Sequence, residues 1–233
     1  MTRRTFLGGL TATGLARGAT EVDARRGREL YASAMDSPEA VRSWVMEGPG
    51  EVSFADGWMT MRSPGEQMHH VFWCPETFPA DFTAEWTCKN RHTEAGLCIV
   101  FFAAMGLNGK DALDASQPKR DGTFRQYHSG ALRNYHISYY ANTPSTPDRP
   151  HAHLRRNPGF DMVQQGEKGI LHDSTAAHRV QLLKDGGRVA MWVDERLILD
   201  WTDPEPHGAG RIALRQMQWT VFSYRDFRVH ALG

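Results

Sequence analysis

The chain has 233 residues, with 27 basic side chains against 27 acidic ones and a formal net charge of zero. Seven Trp, eleven Phe and six Tyr supply too much core material for a disordered chain, and the lack of net positive charge disfavours a nucleic-acid binder held by phosphate contacts. No apolar run reaches the ~18 residues of a membrane span, and three cysteines are too few, and odd in number, for a disulfide scaffold.

The N-terminus reads M-T-R-R-T-F-L-G-G-L-T-A-T-G-L-A. Arg3-Arg4 followed by the weakly apolar stretch from Phe6 to Ala16 resembles a twin-arginine export signal. Val22-Asp23-Ala24 offers a cleavage site ending in a small residue, so residues 1–24 read as the signal and 25–233 as one domain. That route carries folded proteins, which fits a secreted or periplasmic domain with no obligatory disulfide, no lipid anchor and no membrane contact once the signal is removed.

In the remaining chain, Ser37 to Val45 reads as a short helix with Pro38 in its first turn. After it, period-two alternation dominates. Phe82, Ala84, Trp86 and Cys88 share one face of a strand, with Thr83, Glu85 and Thr87 on the other. Leu97 to Ala104 is continuously apolar, as in a central strand buried on both faces. Residues 105–122 form a loop long enough to be functional. Phe124 to Ser129 and Asn134 to Ala141 read as two further strands, followed by a proline-rich loop over 142–150. Arg179 to Lys184 and Arg188 to Asp194 flank Asp185-Gly186-Gly187, a hairpin signal. Leu197 to Trp201, Ile212 to Met217 and Phe227 to Ala231 complete an all-β pattern of ten to fourteen strands, which argues for a sandwich of two antiparallel sheets.

The C-terminal run R-V-Q-L-L-K-D-G-G-R-V-A-M-W-V-D-E-R-L-I-L-D-W resembles the closing strands of concanavalin-A-like jelly rolls. The segments H-V-F-W-C-P-E-T-F-P-A-D-F-T-A-E-W, R-Q-Y-H-S-G, N-Y-H-I-S-Y-Y and L-R-R-N-P-G-F narrow this to a resemblance to the YesU-like bacterial family, DUF1961, over about Leu30 to Val229. The resemblance implies a concanavalin-A-like sandwich, often encoded near genes for polysaccharide breakdown, and brings no catalytic assignment. A structural calcium is common in such folds; no other cofactor is expected.

The residues themselves point to sugar chemistry. Asn134, His136, Ser138 and Tyr140 fall on one face of a strand, and Gln126 and His128 share a face of the preceding one. Such a patch suits a groove that hydrogen-bonds hydroxyls of a polysaccharide or oligosaccharide. It also suits β-elimination from a uronic-acid glycan, in which a carboxylate must be neutralised before the neighbouring proton is removed. His128 or His136 is then the candidate base, Tyr140 or Tyr139 the candidate acid, and Arg215 with Gln216 the candidate carboxylate holders. Gln126, Asn134 and Ser138 complete the binding set. Gln126-Tyr127-His128 also looks like the Gln-X-His of jelly-roll alginate lyases, a short match.

A glycoside hydrolase needs two flanking carboxyl groups. Downstream of the signal, Asp203 and Glu205 are the sole acidic pair two residues apart, and Glu85 and Glu94 could meet only across a hairpin. His69-His70 and His151/His153 are the metal candidates, without a supporting carboxylate or Cys, so no metal site is assigned. Cys74, Cys88 and Cys98 read as buried thiols. A uronate lyase, a non-catalytic carbohydrate-binding module and a hydrolase therefore remain open, in that order.

Overall fold

The computed structural model describes residues 19–65, 69–217 and 219–233. A short helix, α1 (Glu21–Ala24), leads into β1 (Arg26–Ser33), β2 (Val45–Glu47), β3 (Glu51–Ala55), β4 (Trp58–Arg62), β5 (His69–Phe78), β6 (Phe82–Asn90) and β7 (Gly96–Gly106). A long loop carrying α2 (Arg125–His128) connects to β8 (Leu132–Asn142), β9 (His153–Asn157) and β10 (Asp161–Gln165). The chain closes with β11 (His178–Asp185), β12 (Arg188–Val193), β13 (Arg196–Thr202), β14 (Gly210–Met217) and β15 (Val221–Leu232).

These strands form the expected jelly-roll sandwich of two antiparallel sheets. One runs β13-β12-β11-β6-β15-β4-β3 with β1 beside β15; the other runs β10-β9-β8-β7-β14-β5-β2. Alternation explains the layering. Phe82, Ala84, Trp86 and Cys88 of β6 all enter the core between the sheets. In β7 the apolar run serves two cores: Cys98, Val100 and Phe102 face the opposite sheet, while Ile99, Phe101 and Ala104 face a second cluster beneath the long loop. Each fully buried side chain of this size contributes about 1.5–3 kcal/mol relative to exposure. The hairpin forms at Gly186, whose φ of +55° favours glycine, and Asp185 pairs with Arg188 across it. Cys74, Cys88 and Cys98 are free and buried, and burial pushes the Cys74 thiol up to about 12.

Three expectations about local structure change. The segment from Ser37 holds a single 3-10 turn, Glu39–Val41, and Val45 already begins β2. Phe124 to Ser129 is not a strand but contains α2, because Phe124 and Tyr127, three residues apart, anchor it by a helical spacing. β9 and β10, unrecognised in the sequence, extend the second sheet beyond β8.

Helix α1 falls within the segment expected to be the signal. Residues 1–18, with Arg3 and Arg4, lie outside the described residues. Thr20, ahead of the expected boundary at Arg25, is buried and bonded to the domain, its hydroxyl donating to Gln181 Oε1 at 3.0 Å. Thr20 and Asp23 form a capping box, and Val22, 1% exposed, packs with Leu183, Ala190 and Trp192. Asp23 accepts from Arg179 Nη2 at 2.6 Å and Glu21 from Arg188 Nη1 at 2.6 Å. Cleavage after Ala24 would remove all of this. A chain starting at Ala19 is expected to have a higher melting temperature than one starting at Arg25; equal values in a thermal melt would show that α1 contributes nothing.

The same contacts make a pH prediction. Burial pushes the Asp23 carboxyl up, but hydrogen bonds from Arg179 and from the Thr20 backbone outweigh it and hold the group at about 2, against an ordinary 3.8. Asp23 therefore adds stability above about pH 4 that is lost as the pH falls toward 2. In urea titrations across that window, Asp23→Asn is expected to flatten the acid decline and to be less stable than wild type at neutral pH.

Candidate functional site

The outer face of the second sheet carries the candidate site. Strand register sets its rows. Arg215 lies beside Ile99, Ile99 beside Ser138, and Ser138 beside His153. One row along, Ala213, Phe101, His136 and Arg155 are neighbours in the same way, and Asn134 pairs with Asn157. Side chains on one face of adjacent strands meet at these positions, so histidines, arginines and asparagines from β8, β9 and β14 converge around Ile99 and Phe101 of β7.

The long loop packs on this face. Tyr127 of α2 stacks on Phe101 with ring centroids 5.6 Å apart. Its hydroxyl donates to Glu47 Oε2 at 2.9 Å, which also accepts from Arg120 Nε at 3.0 Å and Trp73 Nε1 at 2.9 Å. Phe124, just before α2, lies over the Arg215 guanidinium at 4.1 Å. From the other side Phe160, in the β9–β10 turn, sits under Arg155 at 3.7 Å and meets Phe124 edge-on at 5.4 Å. His128 packs against both rings. Between them is a cavity of about 120 Å³, lined on its polar side by His136, Ser138, Arg149, His153 and Arg155.

A hydrogen-bond relay orients His136. Asn134 Nδ2 donates to the Tyr127 carbonyl at 2.8 Å, which leaves Asn134 Oδ1 to accept from Asn157 Nδ2 at 2.7 Å. The same Asn157 nitrogen is 2.9 Å from His136 Nδ1. A nitrogen that donates to Asn134 also donates to His136, so His136 Nδ1 accepts and its proton resides on Nε2. His136 thus offers the cavity an N–H donor. Arg149 Nη2 donates to Ser138 Oγ at 2.8 Å, holding a second cation at the rim.

The electrostatics are one-sided. Among the described residues lining the cavity there is no carboxylate. Burial and the positive charges of Arg155 and Arg215 push His136 well below the usual imidazole range. Burial, then Arg215 and Arg155, lowers His128 as well. Burial and Arg149 bring His153 to about 4. Burial, and then the charge of Arg155, brings Arg149 to about 10. The histidines are neutral near pH 7 and the arginines supply the charge.

Asn134, His136 and Ser138 share this face as their alternation implies, and Arg215 and His128 join them. The other candidates lie elsewhere. Tyr140 leaves the face because Ile99 pairs with Ser138 whereas Cys98 pairs with Tyr140; the extra residue, Tyr139, is a bulge that reverses the alternation. Both tyrosines enter the inter-sheet core, where the Tyr140 hydroxyl accepts from Asn90 Nδ2 at 2.8 Å. Gln216, next to Arg215, faces that core too: its oxygen accepts from the Tyr224 hydroxyl and its nitrogen donates to Met61 O at 2.9 Å. Gln126 lies on α2 and accepts from the Asp121 backbone N–H at 2.9 Å, outside the cavity. Glu85 sits on the opposite sheet, bonded to Arg179 and Arg26, and Glu94 is on an exposed loop, so the two do not form a catalytic pair. Asp203 accepts from Tyr135 and Arg156.

Arg149, Arg155, Phe124 and Phe160 escape sequence reading as site residues, and His153, considered there only as a metal candidate, lines the cavity. His153, Arg155 and Asn157 do alternate with period two, which is the signal that could have revealed β9. Among the described residues no group of three or more His, Cys, Asp or Glu is arranged to hold a metal ion. No helix among them is long and apolar enough to cross a membrane. A larger open cleft of about 460 Å³ separates the β10 and β13 edges, but there Gln164 and the Asp200 backbone bond to each other.

A jelly-roll sandwich with a cationic, aromatic-lidded cavity on one outer face is thus the class of protein in hand. The chain belongs to the DUF1961 family, a domain of unknown function whose profile matches residues 28–229. It is 35% identical over 214 residues to the uncharacterized protein YesU of Bacillus subtilis, covering 88% of this chain and 97% of that one. A crystal structure of a protein of unknown function with a galectin-like fold from Bacillus subtilis superposes with a TM-score of 0.85 at 35% identity, covering 89% of this chain and 98% of that one. The carbohydrate-binding module CBM66 from Bacillus subtilis shares the fold at a TM-score of 0.54 and 13% identity, over 81% of this chain and 96% of its own.

Proposed function

We propose that this protein, exported by the twin-arginine route, binds carbohydrate in the outer-face cavity between Phe124 and Phe160. The observation that carries this reading is the convergence of ring faces with fixed donors: His136 Nε2–H, Arg149 and Arg155 beside Phe160. A sugar presents apolar C–H faces and a rim of hydroxyls, which aromatic rings and pre-aimed donors match. A carbohydrate-binding module on the same fold supports the choice of ligand class. Calorimetric titration with oligosaccharide panels tests it: wild type is expected to bind at least one oligosaccharide, and Phe160→Ala to weaken that binding by about tenfold or more. Binding that Phe160→Ala, His136→Ala and Arg155→Ala all leave unchanged would place the ligand elsewhere.

A catalytic form of this reading, β-elimination from a uronate glycan, is favoured by His128. It packs on Phe124 and Phe160, two rings that line the cavity, and burial and the charges of Arg215 and Arg155 lower it toward the neutral, proton-accepting form. Tyr139 and Tyr140 lie in the core, so the leaving oxygen would take its proton from His136 Nε2–H or from solvent. Accumulation of an ultraviolet-absorbing unsaturated product, abolished in His128→Ala, would establish it; a flat trace on a uronate glycan that binds leaves recognition alone. Hydrolysis loses support, because the cavity brings no pair of carboxyl groups together.

A further inference from the structure

We propose that Arg215 is the seat for an acidic group on the bound sugar, a carboxylate or a sulfate ester, and that Phe124 and Phe160 form a lid that parts to admit it. This rests on the reading of the outer-face cavity as a carbohydrate site. Arg215 is fully buried, yet its Nε and Nη1 have no hydrogen-bond partner and its Nη2 makes one long bond, 3.4 Å, to the Gly122 carbonyl. Three other arginines with largely buried side chains are matched by carboxylates: Arg120 by Glu47, Arg179 by Glu85 and Asp23, Arg211 by Asp111. Arg215 has neutral neighbours instead. Val71 and Ile99 flank it in the sheet, and a phenyl ring covers its face.

Removing a guanidinium from water without a counter-charge is strongly unfavourable. A fold that keeps one at the middle of a central strand has a position for an anion built in. Phe124 marks where that position opens. Its ring contacts Arg215, His136 and Phe160, and it lines the cavity whereas Arg215 does not, so it covers the guanidinium next to the cavity. Phe124 belongs to the long loop, at the margin of the cluster beneath it, and Phe160 to a turn, and both are only half-buried. Once Phe124 swings aside, Arg215 joins Arg155 and Arg149 on one wall. Three cations without a carboxylate then face the ligand, and the unpartnered Nε and Nη1 of Arg215 donate to an anionic oxygen.

The test titrates wild type, Arg215→Met and Arg215→Lys with size-matched hexasaccharides: a polyuronate, a sulfated glycan and a neutral glucan. Wild type is expected to prefer an acidic hexasaccharide over the neutral one by about tenfold or more, the polyuronate and sulfated arms showing which acid fits. Arg215→Met is expected to lose about 10- to 100-fold for the acidic ligand, well beyond any loss for the neutral one, and to melt at or above the wild-type temperature, since an unpartnered buried charge is gone. Arg215→Lys keeps part of the acidic preference. Phe124→Ala is expected to speed association of the acidic ligand. Equal binding of acidic and neutral ligands, an acidic preference undiminished in both Arg215 variants, or a lowered melting temperature in Arg215→Met would each overturn the seat and leave carbohydrate recognition standing. An association rate unchanged in Phe124→Ala would overturn the lid. Binding of none of the three hexasaccharides overturns the seat and, if the oligosaccharide panels are equally silent, the carbohydrate reading with it.

Discussion

Glu47→Ala is expected to cost about 3–5 kcal/mol of folding stability, the penalty for leaving a buried charge without its partner. Glu47 ends the edge strand β2, and its carboxylate ties together three elements. Arg120 reaches it with Nε at 3.0 Å and Nη2 at 2.7 Å, from a side chain only 5% exposed. The Tyr127 hydroxyl and Trp73 Nε1 each donate to it at 2.9 Å. Without the carboxylate, a guanidinium, a phenol and an indole N–H lose their acceptor in one step. Glu47→Gln restores an acceptor oxygen but not the charge, so it should fall between wild type and Glu47→Ala.

The functional consequence is larger than the stability loss. The loop that Glu47 anchors carries Phe124 and His128, so its release dismantles the lid while the sandwich beneath persists. Hydrogen exchange of the backbone amides over residues 107–131 is the direct reading. Protection there should drop far more than in β7 or β14. A uniform loss of protection across both sheets would mean that Glu47 supports the whole fold rather than the loop, and the link to the site would fail.

The contrast between the sheets and this loop explains how far sequence can reach. Period-two alternation in β6, β8, β11 and β12 is a local signal, and it places those strands in the chain. It also groups Asn134, His136 and Ser138 on one face of β8. It fails where a single extra residue breaks the period. The bulge at Tyr139 is invisible in a run of alternating Asn, His, Ser and Tyr, yet it moves Tyr140 from the site into the core. It fails again at Phe124 to Ser129, where a residue spacing compatible with a strand belongs to a single helical turn. The cavity itself is non-local. Arg215 and Phe124 are distant in sequence, and only the fold brings a loop ring over a strand guanidinium.

Asn157→Asp is expected to reverse the role of His136. In the wild type Asn157 Nδ2 donates to His136 Nδ1, which keeps the imidazole proton on Nε2, facing the cavity. A carboxylate at that position cannot donate. It would instead accept from His136 Nδ1–H, and the cavity would face a lone pair. The same change sets a carboxylate against Asn134 Oδ1, which now accepts at 2.7 Å, so a stability loss of about 1–3 kcal/mol is expected from one buried acceptor left without a donor. Nitrogen NMR of the imidazole ring reads the tautomer directly, and affinity for an oligosaccharide ligand should fall by about tenfold or more as one donor is lost and a negative charge is added near the cavity. Asn157→Ala separates the two effects. It removes the donor to His136 and Asn134 without adding charge, so it should lose stability to a similar degree but leave the His136 proton free to occupy either nitrogen. If Asn157→Asp keeps the proton on Nε2, some group other than Asn157 sets the tautomer, and His136 is not the directed donor that the relay from Tyr127 through Asn134 makes it.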